Sequence, residues 1–117
     1  MYVNGFVIAV PEGNKQAYID VAEKFWPIAR EFGALSQVEC WEADVKDGKT
    51  TDFRRATKAE KGEKIVFSWV TWPDKATADA ANQKMMEDPR MEDFGEMPFD
   101  GPRMVYGGFE VIVNREA

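Results

Sequence analysis

Residues 64–72, KIVFSWVTW, form the stretch that decides the fold, because they alternate like a β-strand yet carry apolar side chains on both faces. One face carries Ile65, Phe67, Trp69 and Thr71, and the other carries Val66, Val70 and Trp72, interrupted only by Ser68. A strand in a small open sheet normally shows one polar face to water. We therefore expect helices of the same chain to cover one face and a second subunit to cover the other.

The flanking sequence alternates between strand-like and helix-like patterns. Residues 2–10 predict a first strand, and residues 34–45 predict a second. Between them, apolar residues at three- and four-residue spacing predict a helix that ends at Gly33 and bends near Pro27.

The second half of the chain repeats this order. Asp74 is positioned to cap a helix that runs to Met86, and residues 90–94 add one more turn. Residues 103–114, RMVYGGFEVIVN, predict the last strand, in which Gly107-Gly108 indicates a bulge or a close approach of another backbone or a ligand.

The order strand, helix, strand, strand, helix, strand predicts one ferredoxin-like α+β domain over residues 1–117. Two βαβ-type halves joined through a hairpin give a four-stranded antiparallel sheet with both helices on one face. An isolated monomer leaves several aromatic side chains unexplained, namely Trp69, Trp72, Tyr106 and Phe109. A homodimer that packs its two sheets face to face, a dimeric α+β barrel, accounts for them.

The composition excludes several classes of function. The chain has no histidine, which excludes Ser-His-Asp and Cys-His catalysis, histidine-ligated haem and the usual catalytic zinc sites. We therefore expect no cofactor and no bound metal. The single cysteine, Cys40, has no partner for an internal disulfide and is better explained as a buried thiol than as a nucleophile.

Charge and hydropathy limit the partners and the compartment. The net charge is −6 and the sequence pI is about 4.7, whereas recognition of nucleic acid requires a basic surface. The first eleven residues are the longest uncharged stretch, which is too short for a membrane span. We expect a cytoplasmic protein without a membrane or nucleic-acid partner.

Several blocks of sequence resemble the YbaA family of small bacterial proteins. They are GFVIAVP at 5–11, EFGAL at 31–35, VECW at 38–41, TDFR at 51–54, VFSW at 66–69, DAANQKMMEDPRM at 79–91 and MPFDGPRMVYGGFE at 97–110. The family is uncharacterised, and the resemblance implies a dimeric α+β barrel. That wider superfamily includes cofactor-independent monooxygenases, isomerases and haem-degrading enzymes, so the fold alone does not imply an activity.

The haem-degrading branch of that superfamily is similar to this chain at Asn4 in the first strand and at Trp72, where the third strand meets the second helix. Its histidine ligand would fall near Asn82. Because asparagine is not a haem ligand, this departure argues against haem binding.

Polar side chains on otherwise apolar strands are the candidate site residues. Glu39 in VECW and Glu110 in GFEVIV are candidate catalytic carboxylates, because apolar surroundings raise a carboxyl pKa. Each could equally face water or pair with an arginine. Tyr106 is a candidate hydrogen-bond donor, with a core position as its alternative.

Four further residues are candidate ligand contacts, namely Trp69, Trp72, Asn4 and Arg55. The alternation in DFRRAT predicts an added strand that places Phe53 and Arg55 on one side, against the neighbouring subunit or over a pocket.

These observations predict a cytoplasmic homodimer with a small-molecule pocket between helices and sheet. The alternatives are a cofactor-independent monooxygenase or isomerase acting on a small aromatic or enol-like compound, and an RNA-associated protein, which the acidic charge disfavours.

Overall fold

Seven helices and strands follow one another in the computed structural model, which describes residues 1–117. They are β1 (Tyr2–Pro11), α1 (Lys15–Glu31), β2 (Ser36–Trp41), α2 (Phe53–Thr57), β3 (Glu63–Trp72), α3 (Lys75–Glu87) and β4 (Val105–Glu110). Short 3-10 turns lie at Glu12–Asn14, Pro89–Phe94 and Gly101–Arg103. None of the helices is both long and apolar enough to cross a membrane.

The four strands form one antiparallel sheet in the order β2-β3-β1-β4, which confirms the ferredoxin-like α+β prediction. β3 pairs with β1 over its whole length, from Glu63 opposite Pro11 to Trp72 opposite Tyr2. β2 and β4 are therefore the two edges of the sheet.

The two faces of the sheet differ in what covers them. The helix face, which packs against α1 and α3, carries Ser68, Val70 and Trp72 of β3, and these side chains are at most 4% exposed. The open face carries Val3, Val7, Val38, Phe67, Trp69 and Phe109. Phe67 is 47% exposed and Phe109 is 60% exposed, so much of this apolar face is open. Its end near α2 is covered, and Ile65 is only 3% exposed there.

Local signals explain where the helices begin and end. The Asp74 carboxylate accepts a hydrogen bond from the Thr77 backbone N–H at 2.7 Å and begins α3, as predicted. Gly33 follows α1 with a φ of +110°, in the region that favours glycine. Pro27 lies inside α1, which is assigned without a break from Lys15 to Glu31.

The segment between β2 and β3 corrects the sequence prediction. Residues 53–57 form the short helix α2 and not an added strand. The physical reason is Asp52, whose carboxylate accepts hydrogen bonds from the backbone N–H groups of Arg55 and Gly48 and so caps the helix. Phe53 still reaches the open face, where its ring lies edge-on to the Phe67 ring, with the two ring centres 6.1 Å apart.

The apolar core of the helix face is divided into two clusters. The larger joins α1 and α3 to the end of β3 through Ile28, Ala29, Ala34, Val70, Trp72, Ala78, Ala81 and Met85. The smaller joins the start of α1 to β1 and β3 through Ile8, Val10, Tyr18 and Val66. The partly buried side chain of Phe6 packs against both clusters.

Residues 89–104, which we call the cover segment, run across the helix side between α3 and β4. Hydrogen bonds fasten it at several points: Lys24 Nζ donates to the Asp93 carbonyl, and Asn14 Nδ2 donates to the Pro98 carbonyl, each at 3.0 Å. At its end the Arg103 guanidinium donates to both carboxylate oxygens of Glu63 at 2.8 Å.

Candidate functional site

Three cavities run in series across the helix face, from the β2 edge to the β4 edge. We call them the edge groove (about 590 Å³), the central cavity (about 240 Å³) and the β4-side cavity (about 550 Å³), and together they form the cleft. The edge groove and the central cavity share Tyr18, Ala22, Gln37 and Glu39. The central and β4-side cavities share Phe6, Phe25, Val70, Met91 and Met104.

Most residues that line the central and β4-side cavities are aromatic or thioether. The central cavity is bounded by α1, the sheet and the cover segment, and its lining includes Phe6, Phe25, Phe94 and Phe99. Five of the six methionines line the central or β4-side cavity: Met85, Met86, Met91, Met97 and Met104. Because thioether side chains are flexible and polarisable, such a wall adapts to the shape of an apolar ligand.

Polar groups are concentrated at the two ends of the cleft. At the β4 end, Trp72 Nε1 donates a hydrogen bond to Asn4 Oδ1 at 2.8 Å. An indole N–H can only donate, which fixes the orientation of the Asn4 amide. The Asn4 NH₂ group makes no hydrogen bond within the chain, and Asn4 lines the β4-side cavity together with Asn82 and Tyr106.

At the β2 end, Glu39 is the centre of a second polar cluster. Tyr18 Oη donates to Glu39 Oε1 at 2.5 Å, and Gln37 Nε2 donates to Glu39 Oε2 at 3.1 Å. Gln37 Nε2 also contacts the Ala22 carbonyl of α1 at 3.2 Å, which holds the amide in place. The strand pairing sets Glu39 directly opposite Ser68, so both side chains face the helices.

The environment of Tyr18 keeps its phenol protonated. Burial is the largest cause that raises the Tyr18 pKa far above its ordinary value of 10, and the hydrogen bond to Glu39 and the negative charge of that residue act in the same direction. The Ser68 hydroxyl lowers the pKa and offsets part of this shift. Tyr18 therefore acts as a hydrogen-bond donor and not as a base.

The ionisable side chains that line the cleft are all acidic. Glu39 lines the edge groove and the central cavity, and Glu23 lines the edge groove. No lysine or arginine lines any of the three cavities. The cleft therefore offers no countercharge to an anion.

The structure brings some of the sequence candidates together and separates others. Tyr106, Asn4 and Trp72 line one cavity, which also includes Asn82, and Glu39 lies at the opposite end of the cleft. Trp69 belongs to the open face, where it contacts Phe67 edge-on at 5.7 Å.

The two remaining candidates lie outside the cleft. Glu110 is exposed, lies opposite Tyr2 at the end of β4, and makes neither a hydrogen bond nor an ion pair. The Arg55 guanidinium donates to the Gly48 and Lys49 carbonyls of its own loop. The functional roles of Trp69, Glu110 and Arg55 stay predictions.

Sequence reasoning missed Tyr18, Gln37 and Ser68. Tyr18 looked like one more apolar position of α1, and nothing in its spacing distinguished it from Phe25. Ser68 did carry a signal, because it is the one polar residue on the covered face of β3. Pairing β2 with β3 in the hairpin would have set it against Glu39.

No group of three or more histidine, cysteine, aspartate or glutamate side chains is arranged to hold a metal ion. The histidine ligand of the haem-degrading branch would fall near Asn82, whose side chain is an exposed amide. The cleft therefore offers no histidine as an axial haem ligand.

Comparison with known proteins places the chain in a family. It is 62% identical over 114 residues to the uncharacterised protein YbaA of Escherichia coli K12, with 97% of each chain covered, and equally similar to YbaA of Shigella flexneri. Among solved structures it resembles a dimeric ferredoxin-like protein of unknown function from Jannaschia sp. CCS1, with a TM-score of 0.58 at 16% identity, covering 95% of this chain and all of that one.

A NIPSNAP domain protein from Burkholderia xenovorans is similar at a TM-score of 0.54 and 13% identity, with both chains fully covered. Identities this low support the fold alone. The family of proteins of unknown function DUF1428 matches residues 1–101. The chain therefore belongs to the DUF1428 family.

Proposed function

We propose that the protein is a cytoplasmic homodimer in which each cleft binds a small molecule with a mainly apolar body. The observation that supports binding is the series of connected cavities, apolar in the middle and polar at both ends. Ligand sites in proteins are typically concave, of about 300–1,000 Å³, and combine apolar walls with a few polar groups. The edge groove and the β4-side cavity are of this size, and the smaller central cavity connects them.

The methionines provide a direct test of binding. We expect titration with 2-naphthol, a flat neutral probe, to shift the NMR signals of the Met91 and Met104 methyl groups. Both side chains line the central cavity and the β4-side cavity. Met1 lies on the open-face side and serves as an internal control.

A pair of variants on α1 locates the binding. Ala22→Phe is expected to block the passage between the edge groove and the central cavity and to weaken binding of 2-naphthol about tenfold or more, because it fills space that the ligand needs. Ala17→Phe, at an exposed position of the same helix, is the matched control. Equal affinities of the two variants would contradict binding in the cleft.

Dimerisation through the open face is the second part of the proposal. A row of aromatic rings, Phe53, Phe67 and Trp69, lies there in edge-on contact, and Phe109 lies over Gly5 and Gly107 nearby. Contiguous apolar surface of this kind marks an interaction site. A second copy of the chain would cover it with the same surface and so form the barrel. The Jannaschia protein of this fold is described as dimeric.

Sedimentation tests this part. The wild-type protein is expected to sediment at about twice the chain mass at micromolar concentration. Trp69→Asp is expected to sediment as a monomer, because an unpaired carboxylate buried between two sheets costs several kcal/mol. Ala17→Asp, on the exposed side of α1, should remain dimeric. A monomeric wild type would overturn the homodimer.

An isomerase is the second candidate function, and the observation that favours it is the Glu39 carboxylate, which belongs to an exposed residue of β2 and lines the central cavity. In such a reaction Glu39 would take a proton from the carbon beside a ligand carbonyl and return it to the product. The test is hydrogen–deuterium exchange at the acidic carbon of 2-tetralone in D₂O. Catalysed exchange that is lost in Glu39→Gln supports turnover, whereas exchange at the buffer rate indicates binding without chemistry.

A further inference from the structure

We infer that the Glu39 end of the cleft selects ligands by charge, so that the preferred ligand is a flat aromatic molecule carrying a protonated amine and not a carboxylate. This inference rests on the proposed function, because it requires the cleft to bind a small molecule.

The hydrogen bonds of Glu39 leave room for a ligand. A carboxylate offers about four lone-pair sites for hydrogen bonds. In the folded chain Tyr18 occupies one site on Oε1 and Gln37 occupies one on Oε2. One further position on each oxygen is therefore available to a donor that enters from the cleft.

The charge of Glu39 has no cationic partner in the chain. Its two hydrogen-bond partners are neutral, and it forms no ion pair. The nearby Lys15 ammonium lies over the Trp41 ring instead, 5.4 Å from its centre. Glu63 and Glu42, by contrast, are paired with Arg103 and Arg54. A protonated amine would provide the missing charge complement, whereas a ligand carboxylate would be repelled.

The rest of the cleft favours an aromatic body next to that amine. Tyr18 and Phe99 lie beside the Glu39 end, with their ring centres 5.9 Å apart. A cation beside these rings is also attracted by the aromatic faces. The aromatic and thioether walls beyond them provide apolar contacts for the rest of the ligand.

A matched ligand series tests the inference. The three probes are 1-naphthylmethylamine, 1-naphthalenemethanol and 1-naphthoate, which share one ring system and differ in charge. We expect the amine to bind about tenfold more tightly than the alcohol, because only the amine brings a positive charge to the carboxylate, and naphthoate to bind most weakly. Affinities are measured at pH 7 from the Met91 and Met104 methyl shifts.

Variants separate a local effect of Glu39 from the overall negative charge of the protein. Glu39→Gln keeps the size of the side chain and is expected to lose the preference for the amine over the alcohol. Glu12→Gln removes the same charge at an exposed position outside the cleft and should keep the preference. Tyr18→Phe releases Oε1 from its present donor and is expected to strengthen binding of the amine.

The outcomes distinguish the two proposals. Equal binding of all three probes, or an amine preference that survives in Glu39→Gln, overturns the charge selection and leaves ligand binding standing. Failure of every probe, including 2-naphthol, to shift the methionine signals overturns the proposed function, and the charge selection with it.

Discussion

At the scale of single residues, Gly108 is required by the ring packed against it. A Cβ added at this position would lie 1.7 Å from Tyr2 Oη and 2.6 Å from Tyr2 Cζ. The Gly107-Gly108 pair predicted a bulge or a close approach of another backbone or a ligand. The strand pairing is regular there, and the group that comes close is the Tyr2 side chain. The Tyr2 side chain also packs against the larger core cluster, so it has little freedom to move aside.

Gly108→Ala is therefore expected to lower the free energy of unfolding by about 1–3 kcal/mol, the usual cost of overpacking. Urea denaturation measures the change. Gly13→Ala is the matched control, because nothing lies within 4 Å of its added methyl group. If both variants unfold at the same urea concentration, the contact with Tyr2 is not a constraint.

The ion pair of Glu63 with Arg103 makes stability depend on pH. The hydrogen bond from Arg103 is the main cause that lowers the Glu63 pKa below its ordinary value of 4.5; burial opposes this shift, and the Glu60 backbone N–H adds to it. A carboxylate whose pKa is lower in the folded chain contributes stability above its unfolded pKa. That contribution is lost as the pH falls through the folded pKa.

Glu63→Gln is expected to unfold at a lower urea concentration than wild type at pH 7. The difference between the two should shrink steadily as the pH falls below 4.5. Glu116→Gln, at an exposed residue without a hydrogen bond, serves as the control for removal of one charge. A difference that stays constant from pH 7 to pH 3 would show that the effect is packing and not ionisation.

At the scale of elements, the ends of α3 follow from local chemistry. Asp74 caps its start, and the chain leaves the helix at Asp88, before Pro89. Asp74→Ala is expected to lower the melting temperature and to fray the first turn of α3, because the Thr77 backbone N–H loses its acceptor. Asp74→Ser, which restores a capping oxygen, should recover most of the loss. Hydrogen exchange at the Thr77 amide reports the fraying directly.

The elements also show what the sequence could predict. The boundaries of α1 and α3 were close to those found because helix periodicity, Gly33 and Asp74 are local signals. The last strand was predicted to residue 114 but ends at Glu110, because its partner β1 begins at Tyr2. Past that point only the Val111 N–H still reaches the sheet, at the Met1 carbonyl. The length of a strand depends on the length of the strand it pairs with, and this cannot be predicted from the local sequence.

The candidate site shows the same limit. Glu39 and Tyr106 could be selected from the sequence because each interrupts an apolar strand. The hydrogen bond from Tyr18 to Glu39 joins residues 21 positions apart, and the one from Trp72 to Asn4 joins residues 68 positions apart. Such contacts follow from the packing of α1 on β2 and from the pairing of β1 with β3. They cannot be deduced from spacing along the chain.

At the scale of the whole molecule, the two faces of the sheet have different roles. The helix face supports the cleft, and its two core clusters are separated by the central cavity that the cover segment closes. A divided core buries less apolar surface than a continuous one of the same size. The open face further reduces the apolar surface that a single chain buries, because its aromatic side chains stay exposed.

Dimerisation should therefore contribute to folding stability as well as to assembly. Anything that binds only the folded state raises the melting temperature by mass action, and a second copy of the chain acts in this way. We expect the wild-type melting temperature to rise with protein concentration between about 1 and 100 µM, since a dimer that dissociates on unfolding is favoured at high concentration. Trp69→Asp, as a monomer, should melt at one temperature throughout this range and below the wild type. A wild-type melting temperature that does not change with concentration would show that the open face contributes nothing to stability through a second subunit.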